Sequence, residues 1–375
     1  QIVTVACGGL SNAALTEGGR VYTWGASDDA ALGRQSGPDA PEQEPSQVTE
    51  GLEGKTIIGL ASGDVHTLAL DVSGRVYGWG CYRDKEGKQW FQPPAGAPAK
   101  ACKAAAKVPV EIAGLPPNVV EVRCGSSFCL ALTQKGEVLS WGLGEIGELG
   151  RDVCKLKFPE VEGSDEEPGY DFDGILRDHI TPGGMFKELG PNGTTGERMD
   201  GVKVIGCGEY HSLVVARGEV YACGLNSYGQ LGLGDTENRL RLKLIEDLSG
   251  LNTMSARGGG MHSLVLTTEG LFAFGRNDFG QVGCSEKINA ADWGVFVNRP
   301  TEVYLPPNEG NPVKIACGTN HCLVITDKNN LYSWGFGEVG ALGHGDEDDR
   351  TLPKKVDLSR RGVEKVFRLF LCMLY

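Results

Sequence analysis

The stretch GEYHSLVVARGEVYACGLNSYGQLG, Gly208–Gly232, holds the pattern from which the rest of the chain can be read. A glycine followed three residues later by histidine opens the apolar run HSLVV, which has the length and branching of a strand. The glycine turn ARGE leads into EVYACG, which alternates with period two and so reads as a second strand. The unit closes on Leu231-Gly232, eight residues after Gly224.

Working outward, the same unit recurs six times. The opening element spans Gly8–Ser11, Gly63–His66, Gly125–Phe128, Gly208–His211, Gly259–His262 and Gly318–His321. Fifteen or sixteen residues after each opening glycine stands Trp24, Trp79, Trp141, Cys223, Phe274 or Trp334, always followed by glycine. In five units a Leu-Gly or Val-Gly pair then ends at Gly33, Gly150, Gly232, Gly283 or Gly343. Spacing is nearly fixed within units and variable between them. Small sheets of this kind cannot cover both faces alone, and stacking them around an axis makes a β-propeller. The expected repeats are 2–34, 57–91, 119–151, 203–234, 254–284 and 313–345 of a single domain, 1–375. Segments 85–109, 152–201 and 285–300 are expected to be loop excursions, the second carrying an acidic run, Glu160–Asp178, that suits a solvated loop or a contact for a basic partner.

Composition agrees. Of 375 residues 56 are Gly, about twice the usual share, as many tight turns require. The net charge of −13 disfavours binding to nucleic acid or anionic lipid by bulk attraction and suits a basic protein partner. No run of eighteen apolar residues is present, so no transmembrane helix is expected, and the first residues, QIVTVACGG, have no signal-peptide pattern. The 12 cysteines lack C-x-x-C spacing and sit in strand-like runs such as TVACGG and KIACGT. They read as small buried hydrophobes in a reducing compartment, with no clustered ligand set for zinc. No nucleophile-elbow, zinc-protease or phosphate-loop motif occurs. His66, His211, His262 and His321 read as packing and hydrogen-bonding elements, because Ser11 and Phe128 fill the same place in the other units. The residues describe a binding module with no covalent chemistry, no catalytic group, no cofactor and no metal.

One unit departs. After Trp79-Gly80 no Leu-Gly arrives, and the chain reads CYRDKEGKQWF, Cys81–Phe91. Five charged residues around Gly87, followed by two aromatics, predict a short β-hairpin raised from one end of the ring. A break in a regular repeat is where function is expected.

The repeated Gly-x-x-His, Gly-x-Val-Tyr-x-Trp-Gly and Gly-x-Leu-Gly elements, over roughly residues 2–356, resemble the regulator of chromosome condensation family. The resemblance implies an all-β, seven-bladed propeller, here with six full repeats and an incomplete or irregular seventh blade that would include the apolar segment 363–375. Ser62–Gly87, Leu143–Arg151 and Ser333–Val356 are similar to the branch that exchanges guanine nucleotide on the small GTPase Ran. The Gly-Trp-Arg-His-Thr repeats of the photoreceptor branch are absent. By that resemblance Tyr82, Arg83, Asp84, Lys85, Glu86 and Gly87 match a β-wedge that enters the GTPase, while Asp64, Ser127, Arg151 and Met261 fall on the GTPase-facing side. Within it, Asp84 and Glu86 would compete for cationic groups around the phosphates, and Arg83 and Lys85 would fix the hairpin or meet acidic GTPase residues. Ser127 replaces a family Asp, and Met261, Gly229 and Ser11 replace family histidines. The implied partners are a Ran-like small GTPase and a nucleosome or histones, the implied place is the nucleus, and no membrane or small-molecule substrate is implied. A scaffold that binds proteins without exchange is the alternative.

Overall fold

In the computed structural model, residues 1–93, 96–153, 170–189, 195–284 and 296–359 are described. Each of the six repeats forms an antiparallel sheet whose strands follow sequence order outward. Blade 1 is β1 (Ile2–Cys7), β2 (Ser11–Thr16), β3 (Val21–Gly25) and β4 (Ser46–Gln47). Blade 2 is β5 (Ile57–Ser62), β6 (His66–Asp71) and β7 (Val76–Gly80), then a separate hairpin, β8 (Tyr82–Arg83) and β9 (Gln89–Trp90), before the outer strand β10 (Ala106–Glu111). Blade 3 is β11 (Val119–Cys124), β12 (Phe128–Thr133), β13 (Val138–Gly142) and β14 (Gly183–Gly184). A further hairpin, β15 (Phe186–Leu189) and β16 (Thr195–Arg198), extends blade 4, which is β17 (Val202–Cys207), β18 (His211–Ala216), β19 (Glu219–Gly224) and β20 (Arg239–Leu244). Blade 5 is β21 (Thr253–Gly258), β22 (His262–Thr267), β23 (Leu271–Arg276) and β24 (Phe296–Glu302). Blade 6 is β25 (Pro312–Cys317), β26 (His321–Thr326), β27 (Leu331–Gly335) and β28 (Arg350–Lys355).

The core lies between blades. Five apolar clusters each bridge two neighbours, from Leu15 against Trp79 in the first to Leu264 against Trp334 in the last. Strands β6, β12, β18 and β22 are buried along their whole length, as second strands flanked on both faces must be. The Leu-Gly glycine explains itself here. At Gly33, Gly232 and Gly283 φ is positive and an added Cβ would lie within 3 Å of the next blade's Trp79, Phe274 or Trp334 ring. The residue two before it presents its carbonyl to the next blade: Ala31 accepts from Trp79 Nε1 at 3.0 Å, and Gln281 from Trp334 Nε1 at 3.0 Å. Glu148 and Gln230 accept from the hydroxyls of Ser212 and Ser263 at 2.7 and 2.8 Å.

Three of the four repeated histidines are structural couplers. His66, His211 and His262 are buried and reach the following blade through Nε2, to Cys129 Sγ, Ser263 Oγ and Cys322 Sγ at 3.3, 2.8 and 3.1 Å.

Three excursions need correcting. Segment 85–109 holds half of the hairpin and most of β10, and 285–300 contains the start of β24. The first, AKVPVE, was hidden by its proline, and the second, FVNRPTE, by its polar, irregular sequence. In 152–201 the described part is packed structure. The turn α1 (Phe172–Ile175) continues through Leu176–Ile180 and buries Ile175 and Ile180, followed by β14, β15 and β16. The acidic run is therefore not wholly solvated, because Tyr170 packs on Trp90 with ring centroids 5.1 Å apart. Segment 363–375, expected in the seventh blade, lies outside the described residues. Among the described residues no helix is long and apolar enough to cross a membrane.

Candidate functional site

All six turns between first and second strands lie at one end of the ring, where Ala26, Cys81, Leu143, Leu225, Arg276 and Phe336 donate backbone hydrogen bonds back to them. The same turns join blade to blade: Gly9 N to Asp64 O, Asp64 N to Ser126 O, Ser126 N to Glu209 O, Glu209 N to Gly259 O and Gly260 N to Thr319 O. This hydrogen-bonded rim carries the blade 2 hairpin.

The hairpin has a buried root and an exposed tip. Cys81, Tyr82, Trp90 and Phe91 are at most 1% exposed, whereas Arg83, Lys85, Glu86 and Gly87 are exposed. Asp84 builds the turn. Its Oδ1 accepts from the backbone N–H groups of Glu86 and Lys88 at 3.0 and 2.9 Å, and its Oδ2 from Trp90 Nε1 at 2.8 Å. That is the usual way an aspartate closes a turn on itself. Gly87, at φ +78 with open space around it, supplies the left-handed residue. Blade 1 braces one side through Asp29, whose carboxylate binds Arg83 and Gln89. On the other side Lys88 meets Glu86 at 2.8 Å and lies 4.6 Å from the Tyr170 ring centroid, and Lys85 Nζ is 3.9 Å from Glu145.

Residue by residue, the expected site divides. Arg83, Lys85, Glu86 and Gly87 form the tip, and Asp64, Ser127 and Met261 belong to rim turns at the same end. Asp64 is exposed and its carboxylate accepts from Ser126 Oγ at 2.8 Å. Ser127 braces the hairpin: its hydroxyl donates to Arg83 O at 3.0 Å and accepts from Arg83 N at 3.3 Å. Met261 Sδ accepts from Gln230 Nε2 at 3.3 Å.

Five expectations are corrected. Tyr82 does not meet a partner, since it is 0% exposed and its hydroxyl accepts from Trp141 Nε1 at 2.9 Å. It stands in for the missing Leu-Gly carbonyl. Asp84 is not available to compete for cations, because both oxygens are used inside the hairpin. Arg151 is 9% exposed and ties strands together through Ser140 O at 3.2 Å and Thr181 O at 3.1 Å. Arg34 does the same in blade 1, to Thr23 O at 3.1 Å and Pro41 O at 3.0 Å. Gly229 presents no side chain on that face and holds a turn whose φ is +72, where an added Cβ would lie 2.5 Å from Asn298 Cα. Ser11, 6% exposed, is likewise internal.

The bracing residues Asp29 and Tyr170 were missed. Asp29 carried one signal, a Ser-Asp-Asp-Ala-Ala-Leu-Gly loop in which Ala30 occupies the left-handed place held by glycine in other blades. Tyr170, 80 residues from Trp90, carried none.

The cysteine reading also changes. Cys7 is exposed, and Cys7, Cys124, Cys207 and Cys317 line the axial channel. Two ligand-type groups form despite the unpromising spacing, His66–Cys124–Cys129 and His262–Cys317–Cys322. Each cysteine pair straddles a rim turn that puts its members opposite each other on paired strands, and the histidine comes from the preceding blade. Burial raises the Cys129 thiol, but hydrogen bonding to Cys124 and the His66 imidazole outweigh it and bring it to about 6. Cys317 is likewise brought to about 6, against its burial, by Cys322 and His262.

A family model described as the RCC1-like domain matches residues 1–371. The Arabidopsis thaliana ultraviolet-B receptor UVR8 is 29% identical over 95% of this chain and 82% of its own. The human regulator of chromosome condensation is 28% identical over 94% of this chain and 76% of its own, and mouse HERC2, an E3 ubiquitin-protein ligase, is 29% identical over 90% of this chain but only 6% of its own. The crystal structure of Prp20p from Saccharomyces cerevisiae, described with its binding properties to Gsp1p and histones, superposes with a TM-score of 0.77 at 26% identity, over 96% of this chain and 78% of that one. Six propeller blades, their rim and the domain-length match together make this chain a member of the RCC1-like domain family.

Proposed function

We propose that this chain is a guanine-nucleotide exchange factor for a Ran-like small GTPase, with the hairpin tip Arg83–Gly87 as the element that enters the partner's nucleotide region. The observation that carries the reading is the blade 2 hairpin, rooted by buried Tyr82, Trp90 and Phe91 and exposing Arg83, Lys85, Glu86 and Gly87 at the end of the ring that also carries the turns of Asp64, Ser127 and Met261. Exchange needs no covalent chemistry. The factor binds the nucleotide-free GTPase more tightly than the loaded one, and each ~1.4 kcal/mol of that difference that appears in the barrier is tenfold in release rate. A finger braced on both sides loses little freedom on docking, so more of its contact energy goes into displacing nucleotide. Relatives include proteins named as regulators of chromosome condensation and as the yeast guanine nucleotide exchange factor SRM1. Histone or nucleosome contact and residence in the nucleus belong to the same proposal, and the net charge of −13 favours a basic partner.

Release of fluorescently labelled GDP from Ran tests it: catalytic amounts of the chain accelerate release. Replacing Arg83–Gly87 by a short Gly-Ser turn slows release at least tenfold with little change in the unfolding midpoint. Release unchanged by excess wild-type chain rejects exchange, and equal release by the variant rejects the hairpin's role. The second reading, a scaffold without exchange, is favoured by Ser127, whose hydroxyl is spent on Arg83 where a carboxylate was expected, and by relatives such as HERC2. Capture of partner proteins with no GTPase among them supports that reading.

A further inference from the structure

We propose that the His66–Cys124–Cys129 and His262–Cys317–Cys322 groups are two equivalent binding sites for a thiophilic d10 metal ion, Zn(II) or Cu(I), set between blades 2 and 3 and between blades 5 and 6. The sites lie in the ring wall and are independent of the exchange reading.

In each group the three donor atoms lie within 4.8 Å of one another. Cys124 Sγ and Cys129 Sγ are 3.9 Å apart, and Cys317 Sγ and Cys322 Sγ 4.0 Å. The imidazole Nε2 stands 3.3 Å from Cys129 Sγ in the first group and 3.1 Å from Cys322 Sγ in the second. A tetrahedral zinc with bonds of about 2.3 Å to sulfur and about 2.0 Å to nitrogen has edges of about 3.7 Å between sulfurs and about 3.5 Å from nitrogen to sulfur. Two of the three edges in either group are within a few tenths of an ångström of that geometry, and the third, from the imidazole nitrogen to Cys124 or Cys317, closes from at most 4.8 Å. Two thiolates and a neutral imidazole balance the charge of a zinc ion, which suits a buried place. Loading leaves both sulfurs as thiolates and releases whatever thiol protons remain at the working pH.

The pairing is specific to these two blades. At the first-strand position the blades carry Cys7, Ser62, Cys124, Cys207, Gly258 and Cys317, and opposite them Asn12, Thr67, Cys129, Ser212, Ser263 and Cys322. Only blades 3 and 6, among those described, oppose two thiols, and in both the preceding blade supplies a histidine. His211 makes the same reach in blade 4 but finds Ser263. His211 Nδ1 has no hydrogen-bond partner, as with His66 and His262, so that feature belongs to the repeat and the ligand argument rests on the paired thiols. Cys124 and Cys317 are partly exposed on the axial channel, which gives an ion a route in. Tyr82 Oη, 3.8 Å from Cys129 Sγ, and the Gln281 carbonyl, 3.4 Å from Cys322 Sγ, are the outer contacts of the two sulfurs.

The test uses the full chain, reduced and stripped of metal, titrated with Co(II) as a spectroscopic probe, then with Zn(II), and separately with Cu(I) under anaerobic conditions. Two equivalents bind, and Co(II) gives intense sulfur-to-metal charge-transfer bands that Zn(II) displaces. Cys124→Ser and Cys317→Ser each remove one equivalent, and together both. Serine already holds that strand position in blade 2, so the variants fold, as a thermal melt verifies. Cys207→Ser, whose opposite residue is Ser212, leaves two equivalents. The proposal is overturned if the reduced chain takes up neither ion, if the double variant binds as the wild type does, or if oxidation simply closes the facing cysteines into disulfides in a chain that never binds metal.

Discussion

Blades 2 and 5 solve the same problem with different atoms. In each, the blade that follows presents a buried indole N–H and a buried thiol. In blade 5 the backbone carbonyl of Gln281 accepts both, from Trp334 and Cys322, and the loop from Arg276 to Gly283 must stay folded against the ring to keep that carbonyl in place. In blade 2 the hydroxyl of Tyr82 faces Trp141 and Cys129. Moving the acceptor from backbone to side chain releases the backbone beyond Arg83 from that duty, and the chain can rise as a hairpin. The hairpin is thus the consequence of one side chain that replaces a loop's packing function.

The largest effect follows from Tyr82. Tyr82→Ala leaves a cavity between blades 2 and 3, strips the buried Trp141 N–H of its acceptor and takes away a hydrogen-bond partner of Cys129, for a loss of ~3–5 kcal/mol. Tyr82→Phe keeps the volume and its stacking on Phe91 and loses ~1–3 kcal/mol, since the Trp141 N–H is left unpaired. Urea unfolding of both measures this. Equal stability of Tyr82→Phe and wild type would break the comparison. No side-chain substitution at Gln281 can remove the corresponding acceptor in blade 5.

The third blade sharpens it. Glu148 stands where blades 4 and 5 have Gln230 and Gln281, and like them it accepts a backbone N–H two residues earlier, from Ile146 at 2.9 Å. Burial pushes its carboxyl up to about 7. A carboxyl raised in the folded state gives stability that is complete below its unfolded value near 4.5 and is lost as pH rises through 7. Glu148→Gln has no such charge to bury. Its melting temperature relative to wild type therefore rises between pH 5 and pH 8, equivalent to about 3 kcal/mol at most. A difference independent of pH would remove Glu148 from the account.

These cases mark what a sequence discloses. The Leu-Gly glycines and Gly-x-x-His elements are local and repeated, so the propeller and its blades could be read directly. The hairpin was visible as an interruption of that rhythm. The division between its buried root and exposed tip was not, because Tyr82 takes its role from Trp141 in another blade, and Arg151 from carbonyls some thirty residues away. The thiol pairs escaped for the same reason. Spacing within one segment does not reveal a histidine that arrives from the neighbouring blade.

The smallest effect isolates the brace itself. Ser127 exchanges two hydrogen bonds with the backbone of Arg83 at a partly exposed site, where each contributes ~0.5–1.5 kcal/mol or less. Ser127→Ala should change global stability by under about 1 kcal/mol while the Arg83 amide exchanges faster with solvent, because local opening of the hairpin needs no unfolding of the ring. Ser127→Asp discriminates further. An ionised carboxylate accepts the Arg83 N–H but cannot donate to the Arg83 carbonyl, and its charge sits beside Arg83, so it restores amide protection at neutral pH and loses it when protonated or in high salt. Amide exchange that is the same in all three proteins would mean that Asp29 alone braces the hairpin, and the rim turn of blade 3 would have no part in holding the finger upright.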